Sequence, residues 1–148
     1  MPRRRRIAIV VVSLALFLLI GALLARYLST ENVERHDILL VLQSQARGDP
    51  SRELSLMHEC HLSPTCAATV RASARKLKRP GAVKIISITS PTAGSLTTAT
   101  GTTRVAWTVI GTLPVVQCAV VRRSGNFLQG FHVSVLSLSA PIENEAEC

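Results

Sequence analysis

An uninterrupted apolar segment from Ile7 to Ala25 constrains this chain more than any other feature of its sequence. None of its nineteen residues is charged, and only Ser13 and Gly21 fall outside the strongly apolar set. A helix rises about 1.5 Å per residue, so this segment would extend close to 30 Å, the thickness of a bilayer's hydrocarbon core. Because lipid offers backbone groups no hydrogen-bond partner, the segment is predicted to cross the membrane as a helix.

The basic residues beside the apolar segment predict its orientation. Four arginines, Arg3–Arg6, precede it, whereas only Arg26 and Arg35 follow it closely. Basic residues near a span stay on the cytoplasmic side, so the N-terminus is predicted to lie inside and Tyr27–Cys148 outside. We therefore expect a single-pass protein of the cell membrane, with its C-terminal part extracytoplasmic.

A cleaved signal peptide is the alternative interpretation, since it too begins with a basic patch and an apolar run. A signal peptide's apolar region usually covers 7 to 15 residues and ends in small residues. Here the run is longer, and Leu23 and Leu24 fit poorly before a cut after Ala25. The favoured interpretation is an uncleaved signal-anchor, and both interpretations place the rest of the chain outside the cytoplasm.

The remainder of the chain is long enough for one small domain. We divide the sequence into a basic tail (1–6), the span (7–25), a juxtamembrane segment (26–32) and a domain (33–148). About 120 residues support a single core. The part after Arg26 holds twelve basic and nine acidic residues, a net charge of +3. This modest charge is compatible with contact to anionic lipid headgroups or cell-wall polymers and predicts no binding of nucleic acid. The other predicted partners are the membrane, through Ile7–Ala25, and envelope proteins.

Four cysteines, Cys60, Cys66, Cys118 and Cys148, lie in the part predicted to be outside, where disulfides persist. Three connectivities are possible. We favour Cys60 with Cys66, because a loop of five intervening residues brings two Cα atoms within bonding range. That choice pairs Cys118 with Cys148.

Helical periodicity and capping residues predict three helices after the span. The first has an apolar stripe and ends at Gly48. The second begins with Asp49 as its N-cap and Pro50 as its first residue. The predicted bounds are Val33–Arg47, Pro50 to about Cys60, and Cys66–Lys78 with Thr65 as N-cap.

From Ala82 onward, β-branched residues and alternation predict four strands. Gly101 is expected to mark a bulge or a bend, and residues 124–126 (SGN) a hairpin turn. Alternation groups Val105, Trp107 and Val109 on one face, and it also groups Val116, Cys118 and Val120. The predicted fold is α+β, about three helices packed on a curved antiparallel sheet. The predicted strands are Val83–Thr89, Ser95–Val109, Val115–Arg123 and Phe127–Leu138.

Particular segments of the sequence resemble known groups of proteins. Leu42–Met57 (LQSQARGDPSRELSLM) resembles the opening of nuclear-transport-factor-2-like and cystatin-like domains, which implies a cone-shaped fold. Val105–Trp107 (VAW), Leu113–Cys118 (LPVVQC) and Ser139–Ile142 (SAPI) resemble short membrane-anchored proteins of high-GC Gram-positive bacteria. Neither resemblance implies an activity, because this architecture hosts enzymes, ligand pockets and scaffolds alike.

The distribution of acidic residues argues against an enzyme. No Asp or Glu occurs from His61 to Pro141, so no predicted strand supplies a carboxylate as general base. We interpret Glu34 and Asp37 as part of a solvated helix face, with a carboxylate that reaches a pocket as the alternative. His132 has no nearby carboxylate in sequence to orient it, so no catalytic residue is predicted.

Residues 58–61 (HECH) suggest a zinc site, but they lack the CxxC or HExxH spacing. In an oxidising compartment Cys60 and Cys66 are better explained as a disulfide, so we predict no metal and no cofactor. Candidates for a pocket or core are Leu39, Leu42, Trp107 and Phe131. Candidates for contact with an anionic surface, with a solvated helix face as the alternative, are Arg71, Arg75, Lys76, Lys78 and Arg79.

These observations lead to two expectations about function. The first is a non-enzymatic, membrane-anchored adaptor or scaffold for other envelope proteins. The second is a protein of the same fold that binds an apolar small molecule between sheet and helix. A core filled by Trp107 and Phe131 would favour the first, and an open apolar cavity would favour the second.

Overall fold

A computed structural model describes residues 2–91, 98–126, 130–143 and 148. Within these residues the chain is α+β, with helices followed by a four-stranded antiparallel sheet of order β1-β2-β3-β4. The predicted fold class is therefore confirmed. The helices are α1 (Pro2–Arg47), α2 (Pro50–Leu56), α3 (His58–Leu62) and α4 (Pro64–Lys76), and the strands are β1 (Val83–Thr89), β2 (Ala99–Val109), β3 (Val115–Asn126) and β4 (Gly130–Leu138).

The first helix joins the apolar segment to the domain without a break. It is 46 residues long, and its part Ile7–Ala25 is long and apolar enough to cross a membrane. No Gly or Pro occurs between Gly21 and Gly48, so nothing in the sequence interrupts the helix at residues 26–32. Its C-terminal turns bury Ile38, Val41, Leu42, Gln45 and Ala46 in the domain.

Capping residues set the bounds of the shorter helices. Gly48 ends α1 with a φ of +73°, and the Asp49 side chain caps α2 by accepting the Arg52 N–H at 2.9 Å. The predicted second helix is in fact two, because α2 ends at Leu56 and α3 starts at His58. The N-cap of α4 is Ser63, not Thr65 as predicted, because Ser63 Oγ accepts the Cys66 N–H at 3.5 Å.

The sheet packs one face against the helices. On β2 this face carries Trp107 and Val105, both fully buried, as the alternation predicts. On β3 the core face carries Val115, Gln117, Ala119 and Val121, so the apolar row Val116, Cys118 and Val120 lies on the opposite face. Alternation fails to identify the core face of β3 because both rows are largely apolar and the core row contains a glutamine.

Gln117 is accommodated in the core by two hydrogen bonds. Its Oε1 accepts the Trp107 Nε1–H at 2.7 Å, and its Nε2 donates to the Ser139 carbonyl at 2.8 Å. A buried polar group is tolerated when its hydrogen bonds are satisfied. Gln117 therefore links the largest core side chain to the segment after β4.

Two sequence predictions about irregularities are wrong. Gly101 pairs in register with Val121, and the register shifts instead at Ile85/Ser87 and at Val120/Val121. Residues 124–126 are not a turn, because they continue β3 and pair with β4 as far as Gly130. The predicted starts of the second and fourth strands, Ser95 and Phe127, lie outside the described residues.

Both predicted disulfides are confirmed. The Cα atoms are 5.2 Å apart in Cys60–Cys66 and 5.6 Å apart in Cys118–Cys148. Beyond β4 the chain continues along β3, where the Ser139 N–H donates to the Cys118 carbonyl and the Ile142 N–H to the Val116 carbonyl, both at 2.9 Å. We call residues 139–142 the C-terminal strap. The second disulfide joins Cys148, beyond this strap, to Cys118 of β3.

The two disulfides are expected to contribute unequally to stability. The residues of Cys118–Cys148 are separated by 30 positions and those of Cys60–Cys66 by 6. On the loop-entropy model, losing the longer loop costs about 3 to 4 kcal/mol and losing the shorter one about 2 kcal/mol. Urea unfolding of the full chain in detergent should therefore give a lower midpoint for Cys148→Ser than for Cys60→Ser, and the reverse order would contradict this ranking.

Candidate functional site: a groove beside the fourth strand

A groove of about 370 Å³ lies between β4 and the helices. Four consecutive residues, Val133–Leu136, line it. Side chains of a strand alternate between the two faces, so a groove lined by four in succession follows the strand edge. Within the described residues β4 has a strand partner on one side only, β3. The other lining residues are Asp37, Leu40 and Val41 of α1, Leu56 of α2, Glu59 of α3 and Arg122 of β3.

One wall of the groove carries an ion pair. The Arg122 guanidinium donates through Nη1 to Glu59 Oε1 and through Nη2 to Glu59 Oε2, the latter at 3.4 Å. Both side chains are nearly half exposed. Exposed pairs stabilise proteins little, so the main consequence of this pair is that both charges lie at the groove within reach of a bound molecule.

Asp37 places a third ionisable group in the groove. Partial burial raises the pKa of its carboxyl above the usual value, and the neighbouring His36 opposes part of this shift. The groove therefore combines an apolar lining with Asp37, Glu59 and Arg122. This composition suits an apolar molecule or peptide segment that also carries a polar or cationic group.

Glu34 lies in the protein interior and not on a solvated helix face, so that prediction is wrong. Its side chain is buried, and Oε1 accepts the Thr103 hydroxyl at 2.8 Å. The side chain lies four residues before Ile38 on α1, which places it on the helix face that packs against the sheet. That i, i+4 spacing is the signal by which the sequence would have identified it.

Glu53 is a second buried acid, and sequence reasoning missed it. Its side chain is 0 % exposed, and neither carboxyl oxygen has a hydrogen-bond partner within the described structure. Burial raises the pKa of this carboxyl from 4.5 to about 8. Met57, four residues later, lies outside α2, so helical spacing in this short helix gives no signal of the burial of Glu53. It does not line the groove.

Of the four predicted pocket or core residues, Leu39, Leu42 and Trp107 belong to the core or pack against it, and none of the four lines the groove. Trp107 and Leu42 are fully buried, and Leu39 packs against the core cluster. Phe131 is partly buried, with the Arg123 guanidinium 4.4 Å above its ring. The space between sheet and α1 is therefore filled by side chains where these residues meet.

The predicted basic cluster is divided between solvent and a structural contact. Arg71, Arg75, Lys76 and Lys78 are exposed. Arg79 instead donates through Nη1 to the Leu113 carbonyl at 2.6 Å and to Thr112 Oγ1 at 3.1 Å. Its guanidinium also lies 5.9 Å from the Trp107 ring. Arg79 therefore connects the end of α4 to the loop between β2 and β3.

The suggested zinc site around residues 58–61 offers no thiolate to a metal ion. Cys60 and Cys66 are joined to each other, so neither sulfur is a thiolate that binds metal. In the described part of the chain no three His, Cys, Asp or Glu side chains are grouped as a metal ion requires. The chemistry available in the groove is therefore that of one ion pair and one carboxyl.

Comparison with known proteins finds no relative of this chain. No protein-family model, no curated protein and no solved structure matches the chain. The resemblance to nuclear-transport-factor-2-like and cystatin-like domains, and to membrane-anchored proteins of high-GC Gram-positive bacteria, therefore stays a prediction.

Glu53 makes the stability of the domain dependent on pH. The folded chain keeps this proton up to about pH 8, whereas the unfolded chain loses it near 4.5. Between these two pH values unfolding releases a proton. The contribution of Glu53 to the free energy of unfolding therefore falls as pH rises, by about 1.4 kcal/mol per pH unit. Glu53→Gln should remove this dependence.

The measurement is the urea midpoint of the full chain in detergent at pH 5 and pH 8. The matched control is Glu59→Gln, which removes a partly exposed carboxyl six residues further along the chain and should leave the pH dependence in place. An unchanged slope in Glu53→Gln would show that this carboxyl is not the source.

Proposed function

We propose that this protein is a single-pass, membrane-anchored extracytoplasmic domain that acts as an adaptor for other envelope proteins. The observation that carries the proposal is the continuity of α1, one helix from the apolar segment Ile7–Ala25 into the domain core. A span that is also a core helix holds the domain at a fixed height and orientation. Such a fixed presentation serves the binding of neighbouring proteins.

The disulfides support the extracytoplasmic placement. Cys60–Cys66 and Cys118–Cys148 are both formed, and disulfides persist in oxidising compartments. The arginines before the span agree with an N-terminus on the cytoplasmic side. The interior around Trp107 and Leu42 is filled by side chains, which supports a role for the surface of the domain in preference to a ligand cavity inside it.

The groove beside β4 favours a second candidate function, the binding of a small apolar molecule. Its volume of about 370 Å³ falls within the usual range of ligand sites. Leu40, Val41 and Leu136 supply apolar contacts, and Asp37 and Arg122 supply polar ones. An enzyme is not proposed, because the groove offers no nucleophile paired with a base.

Topology tests the anchored placement. Protease added to intact, wall-stripped cells should digest the domain that follows the span, since this part is predicted to face outward. Lysed cells provide the control for complete digestion. Protection of Tyr27–Cys148 in intact cells would contradict the orientation, and a soluble domain beginning near residue 26 would establish cleavage of the apolar segment.

Native mass spectrometry of the full chain, released in mild detergent, separates the two candidate functions. A ligand role predicts a discrete small added mass that is lost in Leu40→Trp, which fills the groove. Ile86→Trp, at an exposed position of β1 outside the groove, is the matched control. An adaptor role predicts no such mass and the same behaviour of both variants.

A further inference from the structure

The loop between β2 and β3 exposes two large apolar side chains. Ile110 is 87 % exposed and Leu113 is 81 % exposed. Single exposed apolar residues are ordinary, but two on one short loop form a compact apolar projection. We call residues 110–113 the apolar tip.

The apolar tip is held in place by hydrogen bonds and is not a loose loop. The Thr112 N–H and Oγ1–H both donate to the Val109 carbonyl, at 2.9 and 2.8 Å. The Thr108 hydroxyl donates to the Thr112 carbonyl at 2.9 Å. Gly111 has a φ of +81°, a conformation that favours glycine. The conformation that leaves Ile110 and Leu113 in solvent is therefore specifically stabilised.

Arg79 fixes the apolar tip to the rest of the domain. Its guanidinium binds Thr112 and Leu113, and its backbone N–H donates to the Ala46 carbonyl at 2.8 Å. The tip is thereby tied to the C-terminal end of α1. A rigidly presented apolar group loses little conformational entropy when it binds, which favours its use as an anchor for a partner.

The apolar tip lies at the end of the domain that is remote from the span. Ala46 follows Ala25 by 21 residues of one continuous helix, a distance of about 31 Å along its axis. Spans tilt by about 20° on average, which shortens this height only slightly. The bilayer that holds Ile7–Ala25 is therefore out of reach of the tip.

The surroundings of the apolar tip carry mainly positive charge. Lys78, which lies against Gly48, and Lys84, whose register partner is Thr108, are both exposed at this end. The acids that the structure describes at this end are Asp49, which follows Gly48 and caps α2, and Glu143, which follows Ile142 beside β3. No acid occurs from residue 61 to residue 141, so the segment between α4 and β1 contains only basic charged residues, and the loop between β2 and β3 contains no charged residue.

We propose that the apolar tip docks into an apolar pocket bordered by carboxylates on another envelope protein. Ile110 and Leu113 would enter the pocket, and Lys78 and Lys84 would face the acidic border. Charge complementarity of this kind sets specificity and association rate. The inference rests on the proposed adaptor function and names the surface that performs it.

The test uses a photo-reactive amino acid at position 110 of the full chain in its native membranes. The same residue at position 62 is the matched control, because Leu62 is also an exposed aliphatic side chain, at 71 %. A third site, Ser134, is exposed on β4 and lines the groove. Adducts are separated by mass, and cross-linked peptides are mapped.

The expected result is a protein adduct at position 110 that exceeds the yield at position 62. The mapped peptide should contain apolar residues flanked by Asp or Glu. Leu113→Ser should lower the yield at least about tenfold, as the loss of a central interface residue does. The double variant Lys78→Glu with Lys84→Glu, and raised salt, should lower it as well. Unchanged urea midpoints establish that these surface variants fold.

Three results would overturn the docking proposal: adducts with lipid, adducts with a second copy of this chain, or a yield at position 110 no higher than at position 62. If Ser134 gives a protein adduct and position 110 does not, the adaptor function stands and the tip is not its surface. If none of the three positions gives a protein adduct, both the adaptor function and the docking proposal fail.

Discussion

The packing of the last turns of α1 against the sheet is the interaction on which the rest of the structure depends. Ile38, Val41, Leu42 and Ala46 join Trp107 in one buried cluster. Burial of such side chains contributes about 1.5 to 3 kcal/mol each. Because the same helix contains the apolar segment Ile7–Ala25, the contacts that stabilise the domain also determine where it stands relative to that segment.

Polar groups inside this core divide into satisfied and unsatisfied ones. Glu34 accepts a hydrogen bond from Thr103, and Gln117 connects Trp107 to the strap that Cys148 fastens. Glu53 has no hydrogen-bond partner within the described residues and keeps its proton instead. A buried carboxyl avoids the cost of an unpaired charge by staying neutral, so the fold accommodates it without an ion pair.

The sequence predicts the elements of this fold better than the surroundings of individual residues. Apolar periodicity and cysteine spacing predict four strands, both disulfides and the helical segments after the span, although the second of these segments is two helices, α2 and α3. The core-facing side of a strand is harder to predict. Both faces of β3 are largely apolar, and the burial of Gln117 depends on its hydrogen bond from the Trp107 indole. The groove was not predicted, since its lining comes from α1, α2, α3, β3 and β4 together. Glu34 was interpreted as solvated because its charge outweighed its helical spacing to Ile38, and the burial of Glu53 was not predicted at all.

The position of α1 at the start of the chain has a consequence for synthesis. Its core-facing side chains emerge first, whereas the strands that cover them begin at Val83 and end at Leu138. Until β2 and β3 have been made, Ile38, Val41 and Leu42 have no sheet to pack against. Contacts between distant parts of a chain form late. The nascent protein therefore passes through a stage in which a finished helix displays an uncovered apolar stripe, and that stage is when the chain is most prone to aggregate.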